Sequence, residues 1–143
     1  MIGATIDNLD EVDRKAAKLL RQALATDEVV NLWATGLEDQ VVALTDRHVF
    51  IVKRGVGAGA GAPLRALVSS LAYGDILGAE VILGVGTGMF EITAAGMPGL
   101  DAWSWGSRFR RTRAPDLPNA FAIAQSQADE FQQVAEAIQA RIH

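Results

Sequence analysis

Apolar residues recur along this chain with two different periods, and the changes of period divide it into a helical start, a β-rich middle and a helical end. Over residues 8–25, Leu9, Val12, Ala16, Leu19, Leu20 and Ala23 repeat at three-and-four spacing, the mark of one buried stripe on a helix. Asn8 and Glu11 read as its capping box, and Lys15, Lys18 and Arg21 lie toward the negative end of its dipole. Acids and bases share the polar face, which favours packing over a partner-binding or membrane-surface role. From residue 28 the period becomes two. Residues 29–33, 41–44 and 48–53 are short β-branched runs separated by Gly36-Leu37-Glu38-Asp39 and by Thr45-Asp46-Arg47, a meander with its turns. Further strands are expected over 65–72, 79–85 and 89–94, the last two joined by the glycine-dense turn Gly84-Val85-Gly86-Thr87-Gly88. In the last of them Phe90 and Ile92 face one side, Glu91 and Thr93 the other.

The chain ends on a strand that feeds a helix. Ala120-Phe121-Ala122-Ile123-Ala124 alternates, Ser126 stands at the expected N-cap, and Asp129 and Glu130 load the first turn. Phe131, Val134, Ala135, Ile138 and Ile142 then fall on one helical face. A helix with one apolar stripe needs a surface to cover, and the strands supply it. The expected architecture is α+β and mainly β: a small bent sheet or open barrel plugged by the last helix, with an additional N-terminal helix.

Two segments follow neither period. Residues 55–63, Gly-Val-Gly-Ala-Gly-Ala-Gly-Ala-Pro, are too poor in side chains to pack and read as a mobile connection. Residues 96–118 hold three of the four prolines, two of the three tryptophans and an arginine cluster. A connection that long in a compact domain tends to be functional or disordered.

At 143 residues, half of them hydrophobic and about a fifth charged, the chain suits one globular domain and needs no second core. No secretory leader or membrane-length apolar run is present, so a cytoplasmic location is expected. The absence of cysteine excludes disulfides, thiolate nucleophiles and zinc-thiolate sites and fits a reducing compartment. A net charge of -4 argues against nucleic acid as a partner.

Enzymatic readings fail on spacing. Neither glycine cluster matches GxGxxG, because Ala60 and Met89 stand where the third glycine is required, and no GK[ST] follows. His48 and His143 share no metal-ligand spacing, and no serine sits in a GxSxG elbow. The acids Asp10, Glu11, Asp13, Asp129, Glu130 and Glu136 are explained as caps or solvated helix faces. No catalytic, cofactor-binding or metal residue is expected, and His48 reads as a partly exposed strand residue.

What remains is Trp103-Ser104-Trp105-Gly106-Ser107-Arg108-Phe109-Arg110-Arg111-Thr112-Arg113, with no Asp or Glu between Asp101 and Asp116. Indoles beside guanidinium groups can anchor a protein partner, settle at an anionic lipid interface or stack on bases. They can also fold back onto the barrel while the arginines pair with surface acids. Trp103, Trp105, Arg108, Phe109, Arg110, Arg111 and Arg113 are the candidate binding residues.

The order of segments resembles a known family. Ala43-Leu44-Thr45-Asp46-Arg47-His48-Val49-Phe50-Ile51-Val52-Lys53, then Leu71-Ala72-Tyr73-Gly74-Asp75-Ile76, then Met89-Phe90-Glu91-Ile92 and a terminal helix from about Ala128 are similar to the bacterial pleckstrin-homology-like (PH-like) domains. The resemblance spans about residues 27–142 and implies a PH-like domain over 27–143 behind a helical extension, 1–26. It implies a seven-stranded, strongly bent antiparallel sheet in two nearly perpendicular layers, with the last helix closing one corner. It also implies a non-enzymatic scaffold that binds proteins, peptides or lipids, or that self-associates. Phosphoinositide-binding relatives carry basic residues between the first two strands, where this chain has Thr35-Gly36-Leu37-Glu38-Asp39, which would repel phosphate. The expected function is therefore a binding or assembly module for a protein partner or itself, with attachment to anionic membrane or a phosphate ligand through the Trp/Arg segment as the alternative.

Overall fold

The structure, a computed structural model, describes residues 1–37, 40–56, 65–95 and 119–142. Two antiparallel sheets share one core. The first runs β1 (Ile2–Gly3), β2 (Leu32–Thr35), β3 (Val41–Leu44), β4 (His48–Val56) and β5 (Arg65–Ala72) in sequence order, and the second runs β6 (Ile76–Leu83), β7 (Thr87–Ala94) and β8 (Ala120–Ala124). A single 3-10 turn at Tyr73–Asp75 carries the chain from one sheet to the other. The sheets do not close into a barrel, and seven of the eight strands come from residues 32–124.

Alternation decides what each face does. On β3 and β4, Val42, Leu44, Val49 and Ile51 point inward to a core completed by Phe90, Ile92, Phe121 and Ile123 of the second sheet. The terminal helix α3 (Ala128–Arg141) lays Phe131, Val134, Ala135 and Ile138 on that core. Phe131 sits 5.2 Å from Phe90 and 5.4 Å from Phe121 by ring centroids, so one aromatic triad joins helix and sheet. The opposite parity, Trp33, Val41, Ala43, Phe50 and Val52, faces outward and is buried as well. Its cover is the N-terminal helical pair. Burial of both faces explains why β3 reads as an uninterrupted apolar run.

The N-terminal segment departs from expectation in three ways. Its first residues form β1, which pairs with β2 through Ile2 and Gly3, and a Cβ on Gly3 would lie 2.4 Å from the Trp33 indole. The expected single helix is two: α1 (Ile6–Val12), capped by Thr5, and α2 (Arg14–Ala23), capped by the Asp13 carboxylate at the Ala16 N–H. Asp13 competes for its own backbone and breaks the helix where the apolar stripe continues. Asn8 therefore lies inside α1 rather than capping it, Val12 and Ala23 are exposed, and Leu9, Ala16, Ala17 and Leu20 carry the burial. Arg21 bridges the pair by bonding Asp7 and Asp10 at 3.0 and 3.2 Å.

Elsewhere the differences are local. Ser126 does not cap α3: residues Gln125–Gln127 form a 3-10 turn in which the Gln127 side chain accepts the Ala124 N–H at 2.8 Å and donates to the Thr35 carbonyl at 3.0 Å. Strand β2 starts at Leu32 rather than at 29, and β6 runs from Ile76 rather than from 79. Glu91, on the strand face opposite Phe90 and Ile92, is buried, as are Lys53, Glu28, Gln40 and Asn119. The turn after β6 is as expected, with Gly86 at φ 78°, a conformation glycine adopts without strain. Of the glycine-alanine connection, Gly55 and Val56 belong to β4, and the remainder lies outside the described residues.

Candidate functional site

Trp103, Trp105, Arg108, Phe109, Arg110, Arg111 and Arg113 all lie outside the described residues. What is described is how their connection is anchored. Ala95 N–H donates to the Asp75 carbonyl at 2.8 Å, at the corner between the sheets. Asn119 re-enters in register with β7, its carbonyl accepting the Ile92 N–H at 2.9 Å while its side-chain amide donates to the Ile92 carbonyl at 2.7 Å.

Among the described residues the densest polar constellation is at the start of β4, beside the sheet corner. Glu28, nearly fully buried, accepts from Thr45 Oγ1 at 2.5 Å through Oε2, and through Oε1 from the Ala25 N–H at 3.2 Å. His48 Nδ1 lies 2.8 Å from the same Oε2. Burial pushes the Glu28 carboxyl up, but the hydrogen bonds from Thr45, His48 and Ala25 outweigh it and hold the group below the ordinary glutamate value. Tyr73 donates to the Thr45 carbonyl at 2.7 Å, and burial raises its phenol to about 12. Outside them Arg47 clasps Asp27 with two bonds, at 2.6 and 3.0 Å, which lowers the Asp27 carboxyl.

A hydroxyl, an imidazole and a carboxylate in contact invite a catalytic reading, but the bonding excludes it. Thr45 Oγ1 accepts the backbone N–H groups of Arg47 and His48 at 3.0 and 2.9 Å while donating to Glu28, so it is fully committed and buried. The imidazole contacts Glu28 and not the hydroxyl that a base would have to activate. The cluster instead ties the linker after α2 to the β3–β4 turn and the sheet corner. Sequence reasoning missed Glu28 because its partners lie 17 and 20 residues away. The half-exposed His48 is as expected.

Among the described residues, surface features that could meet a partner include the two long sheet edges and the β6–β7 hairpin. That hairpin projects Leu83 and Val85 into solvent, Val85 completely. The β6 edge is modified along its length. It carries a register shift between Ile76 and Gly78, and Gln139 of α3 donates to the Ala79 carbonyl at 2.7 Å. Leu77, Gly78, Ala79, Glu80, Thr93 and Gln139 line an open groove of about 270 Å³ there. The β5 edge has such devices only at its start, where Arg65 stands and the ladder to β4 shifts register at Arg54/Val56; beyond it no described strand pairs with its outer side, and Leu67 is 43% exposed. Among the described residues no group of three or more His, Cys, Asp or Glu could hold a metal ion, and no helix is long and apolar enough to cross a membrane.

No family model matches the sequence, and no curated protein matches it. Among solved structures, a DUF1696-family protein with a pleckstrin-homology domain from Shewanella loihica PV-4 superposes with a TM-score of 0.53 over 91% of this chain and 92% of its own, at 10% sequence identity. The fold is PH-like. The PH-like domain here matches the resemblance first carried by the Ala43–Lys53 and Leu71–Ile76 phrases, which form β3–β4 and the sheet corner. At that identity the likeness fixes architecture and leaves ligand and partner to the residues themselves.

Proposed function

We propose that this PH-like chain is a non-catalytic binding and assembly module that recognises protein, a second copy of itself included. The observation that supports this most is the β5 edge, eight residues long and uncharged from Ala66 to Ala72. Stable monomers guard such edges with charges, prolines or bulges. The polar constellation that most resembles an active site is consumed in holding the fold together, which favours recognition over chemistry. A cytoplasmic location, expected from the lack of a leader-like start or membrane-length apolar run and consistent with the cysteine-free sequence, is part of the proposal. Sedimentation velocity over a range of protein concentrations tests it: a reversible shift from monomer to a defined larger species supports self-association, and a monomer at every concentration removes that half of the reading.

The charge pattern of residues 101–116 supports a second reading, attachment to anionic membrane or a phosphate ligand through Trp103, Trp105, Arg108, Phe109, Arg110, Arg111 and Arg113. Co-sedimentation with phosphatidylglycerol-containing vesicles would then fade with salt and drop on replacing Arg110 and Arg111 by Ala. Equal binding to neutral vesicles, or none, counts against it.

A further inference from the structure

We propose that two copies of this chain associate by pairing β5 antiparallel with its own counterpart, about a twofold axis that passes through Ser69. This rests on the self-association reading above and assigns it a surface and a register. A comparison of edges comes first. Strand β1 offers two residues only, and the Ala122 carbonyl of β8 already accepts the Leu37 N–H at 3.1 Å. On β6 the register shift and the Gln139 bond to the Ala79 carbonyl interrupt the row of backbone partners. A twofold axis near the middle of β6 would also set Glu80 against its own copy, and like charges directly opposite one another are destabilising. Over Leu67–Ala72 strand β5 has neither obstacle, because the register shift in its pairing with β4 lies at Arg54/Val56, opposite its first two residues.

The sequence of β5 is nearly symmetric about its middle. Ala66-Leu67-Val68-Ser69-Ser70-Leu71-Ala72 reads almost the same in both directions, and an antiparallel homodimer demands such symmetry. With Ser69 on the axis, Leu67 meets the second copy's Leu71, Val68 meets its Ser70, and the two Ser69 hydroxyls face each other. Facing residues in antiparallel strands lie on the same side of the sheet, so apolar side chains meet apolar ones on the inner face. Shifting the axis to Ser70 breaks this match, because Leu67 would then face Tyr73 beyond the strand.

Burial points the same way. Leu67 and Ser69 pair with Lys53 and Ile51 in register, so they share the inner parity of Val49 and Ile51, which are core. Leu71 of that row is buried, whereas Leu67 is 43% exposed. An inner-face leucine left open at an edge that no described strand pairs is covered when a further strand, with its own Leu71, is added beside it. The two five-stranded sheets become one continuous sheet, and the outer faces keep their own α1–α2 covers. Pairing over so short a stretch makes a small interface, so association is reversible and concentration-dependent.

The chain contains no cysteine, which makes the register directly testable. Ser69→Cys should form a disulfide-linked dimer under mild oxidation at least about tenfold faster than Ser70→Cys, whose sulfurs are offset along the strands beyond bridging reach. Ser69→Lys and Ser69→Glu should each sediment as monomers with unchanged circular dichroism, and an equimolar mixture of the two should regain the dimer. A wild-type dimer that Ser69→Lys leaves intact, or Ser70→Cys cross-linking as fast as Ser69→Cys, overturns the β5 register while self-association stands. A wild type that stays monomeric at all concentrations overturns both. If Ser69→Lys fails to fold, the two cysteine variants decide the question alone.

Discussion

The two sheets of this molecule solve the same problem differently. The five-stranded sheet is buried on both faces: the aromatic triad and α3 cover one side, and α1 and α2 cover the other. Its turns are locked by Glu28, Thr45 and Tyr73, yet no described strand pairs with the outer side of its last strand. The three-stranded sheet gives one face to the shared core, exposes its hairpin at Leu83 and Val85, and has its β6 edge interrupted by a bulge, Gln139 and Glu80. The contrast teaches that packing and edge protection are separate: the sheet buried on both faces is the one whose described edge is open. Under the proposed function an added strand meets a preformed template there instead of ordering one at an entropic cost.

Five substitutions probe that division, from the residue that serves both sheets to one that serves neither. Phe131→Ala removes the ring that joins Phe90 and Phe121 to α3 and should cost about 3–5 kcal/mol in urea unfolding. Leu20→Ala opens the outer cover alone and should cost roughly 3 kcal/mol while leaving the Phe131 contacts unaltered. If Leu20→Ala proves as damaging as Phe131→Ala, the outer cover is as central as the inner core and the contrast needs redrawing.

Glu28→Gln should cost about 1–3 kcal/mol, because Thr45 Oγ1, His48 Nδ1 and the Ala25 N–H lose a charged acceptor. It also carries a pH signature. The folded value of Glu28 is depressed, so its contribution is present above the ordinary value of 4.5 and disappears as pH falls through the folded value. The wild-type urea midpoint should thus fall more steeply below that pH than the midpoint of Glu28→Gln. Tyr73 works in the opposite direction. Its raised phenol contributes stability below pH 10 that is lost as pH rises toward about 12, and Tyr73→Phe should abolish that part of the alkaline slope. Val85→Ser on the hairpin should change stability by less than about 0.5 kcal/mol. A larger loss there would show that the tip packs against something.

Periodicity made much of this legible in advance. Strands 41–44, 65–72 and 120–124 and the buried face of α3 follow from alternation and helical spacing, because packing on one face imposes those periods. The break at Asp13 was hidden because Leu9, Ala16 and Leu20 keep a continuous stripe across it. Ser126 falls inside a 3-10 turn instead of capping α3, and that turn is held by Gln127, whose reach to Thr35 depends on a strand 92 residues away. Glu28, Lys53 and Glu91 look like surface charges in sequence and are buried in the fold, since their burial and partners are tertiary. The near-symmetry of Ala66–Ala72 about Ser69 is a local feature of the sequence with no period of its own. It acquired meaning only when β5 proved to be an edge.

Amide hydrogen exchange measured at low and high protein concentration tests the division between the sheets most directly. Protection at Leu67–Ala72 should rise with concentration while Ile76–Leu83 stays unchanged. Protection that is independent of concentration at β5, or that rises equally at β6, would contradict the account.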